Sequence, residues 1–152
     1  MAAMNPTQKP DPTAAALADL TPADILRCTA RYLERHGWIQ GNAYQPDTTD
    51  PFPAACAIGA ITISIYGGLS APVDRQERHD AWRLVNRVTA QLAEYLWTDG
   101  RVKESDYYGA MCSSAPEIVA GWNDDSTQAL ADVLDILRAA ADDHDRTHGG
   151  TR

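Results

Sequence analysis

Cys56 stands near the start of the apolar stretch "AACAIGAITISIYGG", just after a proline-rich segment that ends at Pro53. A helix beginning at Pro53 or Ala54 puts this thiol in its first turn, where unpaired backbone N–H groups and the helix dipole favour the thiolate. A thiolate in that position is the nucleophile a cysteine-dependent hydrolase or transferase needs. Gln40 upstream offers an amide of the kind that stabilises an oxyanion, and Asn123 or Asp124 offers a group that orients a histidine base. The candidate catalytic set is therefore Cys56, Gln40, Asn123 and Asp124, and what it lacks is the base. His36 ends a helix, His79 lies on the charged side of another, and His144 and His148 belong to the C-terminal tail. Free cysteine is among the most often buried residue types, so a packed structural thiol accounts for Cys56 without any reaction. The sequence favours that second account, and an enzyme is not its first expectation.

Other chemistries find less to work with. Asp142, Asp143, His144, Asp145 and His148 cluster in the tail, but a flexible His and Asp run without a framework holds divalent ions weakly, so no metal site is expected. No phosphate loop, dinucleotide fingerprint or nucleophile elbow occurs, and no cofactor is expected. Cys28, Cys56 and Cys112 are odd in number and widely spaced, which fits reduced thiols in a cytoplasmic compartment rather than a disulfide framework. The net charge of −8 repels phosphate backbones and anionic lipid, making nucleic acid a poor partner. Arg27, Arg31 and Arg35 recur every four residues and read as the solvated side of a helix. No run approaches the roughly 20 apolar residues of a membrane span.

The elements that must position these groups are mostly helical. Thr21 as N-cap, Pro22 at the first helical position, Asp24 completing a capping box and Gly37 as terminator frame a first helix, with Ile25, Leu26, Thr29, Ala30 and Leu33 facing inward. Residues 38–53 form a long irregular loop rich in Gly, Pro and Asp, the first place to look for a binding surface. A helix ending at Gly67 and Gly68 follows; it is apolar on all sides, although "ITISIY" also matches a strand template, and Gly59 within it implies close backbone packing. Asp74 introduces the longest helix, carried by Ala81, Val85, Val88, Leu92 and Leu96 to a stop near Gly100. "ESDYYGAM" is compatible with a short helix, and "CSSAPEIVAGWNDD" reads as mostly irregular. A last helix, capped by Asp125 or Ser126, turns Leu130, Val133, Leu134 and Leu137 inward, and "DDHDRTHGGTR" beyond it should fray.

These elements describe a mainly all-α bundle of four to five helices with a long loop between the first two and room for short strands in loops. Residues 1–20 read as a disordered leader without a secretory pattern, 21–142 as one domain and 143–152 as a flexible tail. Trp38, Tyr44, Phe52 and Trp122 lie in or beside irregular segments; with Gln40 and Asn123 they are the candidate binding residues.

"RHGWIQG", "CAIGAI" and "WNDD" before a capped helix together resemble a family of small uncharacterised proteins of actinobacteria and their phages. The matching positions are Arg35, Gly37, Trp38, Gln40, Gly41, Cys56, Gly59, Ala60, Trp122, Asn123 and Asp124, and the resemblance runs from Thr21 to Ala141. It implies a shared fold and no particular reaction. Arg outnumbering Lys 11 to 2 agrees with such a source. The expectation is a small cytoplasmic binding or regulatory module that contacts a protein partner through the long loop and the Trp122 segment. A small-molecule ligand under the loop is compatible with it, and a cysteine-dependent enzyme built on Cys56 is its rival.

Overall fold

In the computed structural model, which describes residues 19–102 and 114–149, the first helix starts where the capping pattern places it. Helix α1 spans Pro22–His36. Thr21 Oγ1 accepts the Asp24 N–H at 3.2 Å while the Asp24 carboxylate accepts the Thr21 N–H at 3.1 Å, so both orphan donors are satisfied reciprocally. Gly37, at φ 103°, closes the helix by donating its N–H to the Leu33 carbonyl at 2.9 Å.

Helix α2, Ala57–Tyr66, begins later than the expected Pro53 or Ala54 because Ala55 is engaged elsewhere. It forms a parallel bridge with Trp38 and an antiparallel one with Tyr44. Ile39 N–H donates to the Ala55 carbonyl at 3.0 Å and Ala55 N–H to the Gly37 carbonyl at 3.1 Å. Cys56 is thus the N-cap of α2 rather than a residue of its first turn, which corrects the placement on which its activation depended. The "ITISIY" segment is helical: Thr62 and Ser64 return their hydroxyls to the Ile58 and Ala60 carbonyls at 2.9 and 2.7 Å, and Ile61, Ile63 and Ile65 are buried. The half-buried face that remains, Ile58, Thr62 and Tyr66, is too apolar to mark a helical period in the sequence.

Helix α3, Arg75–Thr98, is capped by Asp74, whose carboxylate accepts the Glu77 N–H at 3.0 Å. Helix α4, Ala115–Asn123, occupies most of what the sequence marks as irregular. Ser114 caps it, Pro116 sits in its first turn, and Ile118, Val119 and Trp122 turn inward, which is a complete short helix. Helix α5, Leu130–His144, is not capped by Asp125 or Ser126; its N-cap is Ala129, which provides no side-chain hydrogen bond. Asp125 instead closes a turn ahead of the helix, accepting the Thr127 N–H at 2.8 Å. The segment expected to fray carries α5 as far as a buried His144 and then a π-helical turn, Asp145–Gly149. The expected helix in "ESDYYGAM", and Cys112 after it, lie outside the described residues.

Five helices, with isolated bridges and no sheet among the described residues, make an all-α fold. α1 packs chiefly on α5 and α2, and α3 chiefly on α4. Leu26, Leu33, Ile61, Leu92, Leu96 and Leu137 fill the common core. Arg27, expected to be merely solvated, ties α1 to the end of α5 through Asp142 at 2.9 Å and Asp145 at 2.7 Å.

Candidate functional site

Asn123, the last residue of α4, is 1% exposed and uses its whole amide. Its Oδ1 accepts from Trp38 Nε1 at 2.8 Å and from the Ala57 N–H at 3.0 Å. Its Nδ2 donates to the Ile39 carbonyl at 3.1 Å and to Asp124 Oδ1 at 2.9 Å. Gln40 Nε2 donates to the Asn123 and Asp125 carbonyls at 3.0 and 2.8 Å, and the Gly41 N–H donates to Asp124 Oδ1 at 2.9 Å. A buried amide must spend its donors and acceptors on partners or lose stability, and here every partner but the adjacent Asp124 belongs to the loop after α1 or to the start of α2. Asn123 therefore pins three chain segments at one point.

The sequence candidates Cys56, Gln40, Asn123, Asp124 and Trp38 do come together, but as partners of one another and of backbone. Cys56 is 9% exposed, and its Sγ accepts the Gly59 N–H at 3.4 Å. Burial pushes the thiol pKa up; the Gly59 and Ile58 N–H groups pull it back only in part, and the Asp124 charge adds to the rise. Desolvation thus outweighs the backbone N–H groups at the helix start, a shift opposite to the one an activated nucleophile needs. The histidines are occupied elsewhere: His36 lies against Tyr32 and Phe52, His79 against Trp82, and His144 against His148. Among the described residues no group of three or more His, Cys, Asp or Glu could hold a metal ion.

Gly59 meets the same loop. A Cβ there would overlap the Ala43 carbonyl oxygen and press on Tyr44. That carbonyl accepts the Cys56 N–H at 3.0 Å, so the loop backbone lies directly on the first turn of α2. Tyr44 is half-buried in this contact, and burial raises its pKa. Trp122, a candidate binding residue, is 5% exposed and packs in the core.

The open part of the loop is its other end. Phe52 is 41% exposed, with its ring 5.8 Å from that of His36, which in turn lies 4.5 Å from that of Tyr32. The Tyr32 hydroxyl donates to the Pro53 carbonyl at 2.6 Å, and burial first, then the nearby Asp50 charge, pushes its pKa up to about 12. These rings border an open cleft of about 380 Å³, completed by Arg35, Ile63, Ser64 and Gly67. Of its lining only Phe52 belongs to the candidates read from sequence. Tyr32 and His36, four apart on α1 with Arg35 beside them, carried a helical spacing that pointed to a shared face; what α2 contributes depends on packing alone.

Residues 17–143 match the model of a family of unknown function, DUF6197. The chain belongs to this family. No curated protein and no solved structure matches it. The loop, the Asn123 hub and the cleft all fall within the matched span. Among the described residues no helix is long and apolar enough to cross a membrane.

Proposed function

We propose that this DUF6197 domain is a binding module that receives a short segment of a protein partner in the cleft beside Phe52. The observation that carries this reading is an exposed phenylalanine on a loop fastened behind it by Tyr32, Ala55 and Asn123. An exposed ring costs solvation free energy, and a preorganised loop spares a partner the entropy of ordering it. The occupant is an extended segment that places an aliphatic or aromatic side chain between Phe52, Tyr32 and Ile63, with an adjacent carboxylate for Arg35. The guanidinium of an arginine suits a carboxylate through paired N–H donors. The surrounding hub serves to hold the loop, and the buried Cys56, its pKa raised, supports that role over the nucleophile of a hydrolase or transferase. We place the domain in the cytoplasm, consistent with thiols that stay reduced.

Selection from a random displayed-peptide library tests this. Enriched peptides should share an apolar anchor beside Asp or Glu, and Phe52→Asp and Arg35→Glu should each weaken them about tenfold or more at unchanged thermal midpoint. Peptides that bind the Phe52→Asp variant as well as the wild type would refute the site.

A further inference from the structure

A second open cleft, of about 420 Å³, lies by the C-terminal end of α2 and is lined by Tyr66, Ala71, Arg75, Arg78, His79 and Trp82. Two features set it apart from the rest of the surface. Trp82 is 57% exposed, an unusual state for the largest side chain, and the His79 ring is stacked on it with centroids 6.4 Å apart. Arg75 and Arg78 flank these rings, and among the described residues that line the cleft none is acidic, in a chain whose net charge is −8. Of the carboxylates nearest in sequence, Asp74 caps α3 and Asp80 accepts from Gln76 Nε2 at 2.9 Å, while Glu77, half-buried in the first turn of α3, is not part of the cleft lining. Arg78 is held in place as its Nη1 donates to the Val73 carbonyl at 3.1 Å and the Pro72 carbonyl at 3.4 Å. A guanidinium has five N–H donors, so this tether leaves a fork for an anion.

We infer that this cleft is a binding site for a small nucleoside phosphate, the base stacking on Trp82 and the phosphate held between Arg75 and Arg78. Indole offers a broad face to a heterocycle, and guanidinium groups match phosphate oxygens geometrically. The cleft volume falls in the range of small-ligand sites. Net charge decides between a mononucleotide and a polymer. A single phosphate is neutralised by the two arginines, whereas a longer backbone meets the general repulsion of a chain whose net charge is −8. The inference stands apart from the Phe52 cleft and would survive its failure.

Isothermal titration of the full chain with adenosine monophosphate tests it, with the Trp82 indole N–H followed by NMR to locate binding. Saturable binding with a dissociation constant below about 1 mM is expected, with a shifted Trp82 signal. Adenosine and inorganic phosphate should each bind at least about tenfold more weakly, because each lacks one of the two recognised parts. Arg75→Gln and Trp82→Ala should each cost about tenfold in affinity at unchanged thermal midpoint, both side chains being exposed. No saturable binding up to about 5 mM, adenosine equal to its monophosphate, or Arg75→Gln without effect would each overturn the inference. So would tighter binding of a single-stranded oligonucleotide, which would make the site one for nucleic acid, or of phosphotyrosine, which would make it one for a modified peptide.

Discussion

Gly59→Ala isolates the contact that seats the long loop on α2. In an open helix interior the substitution would gain about 1 kcal/mol of helix propensity. At Gly59 the added Cβ overlaps the Ala43 carbonyl oxygen, and that atom is backbone rather than the end of a flexible side chain. The loop must therefore retreat and stretch the Cys56 N–H bond to the same oxygen, now 3.0 Å. Overpacking costs roughly 1 to 3 kcal/mol and a weakened buried hydrogen bond about 1 kcal/mol more. Set against the propensity gain, the net is a destabilisation of about 1 to 3 kcal/mol, or several degrees in thermal midpoint. Gly59→Leu should cost more. Gly121→Ala is the control: it is also helical, nothing lies within 4 Å of its would-be Cβ, and it should stabilise by up to about 1 kcal/mol. Urea denaturation followed by circular dichroism reads both variants. A Gly59→Ala protein as stable as the wild type, beside a stabilised Gly121→Ala, would refute the close seating of the loop.

Asn123→Ala leaves Trp38 Nε1, the Ala57 N–H and the Ile39 carbonyl without their partner and should cost about 3 kcal/mol or more in urea unfolding, with the Trp38 fluorescence shifting towards that of an exposed indole. Tyr32 gives a pH signature. Its folded pKa, about 12, lies above the ordinary 10, so the stability that its burial confers is fully present below pH 10 and is lost as pH rises towards 12. The urea midpoint should fall over that interval, and Tyr32→Phe should flatten the fall. Arg27→Ala should cost less than about 1 kcal/mol, since its pairs with Asp142 and Asp145 are partly exposed, and the loss should shrink in high salt in a denaturation series.

How much of this was legible follows from where each signal resides. The Thr21 and Asp24 capping box and the periodic apolar face of α3 are local, and both helices stand where the sequence puts them. The start of α2 was decided by long-range bridges to Ala55, which no local rule contains. α4 was missed although Ser114, Pro116 and Glu117 form a proper helix start, because serines, a proline and Gly121 together read as a loop. At the site, Gln40, Cys56, Asn123 and Asp124 were singled out and do converge, yet residue type could not show that Asn123 spends its amide on backbone and Trp38. Both clefts were hidden, since each forms only where the end of α2 meets a second element.

The central claim is that the Cys56 and Asn123 cluster builds the loop while the exposed clefts do the binding. The rate of Cys56 alkylation by iodoacetamide across pH 5 to 9, in a protein with Cys28→Ser and Cys112→Ser, tests it most directly. The account predicts protection throughout this range until denaturant unfolds the chain, as a buried thiol with a raised pKa requires. Rapid modification of the native protein below pH 7 would contradict it and restore Cys56 as a nucleophile.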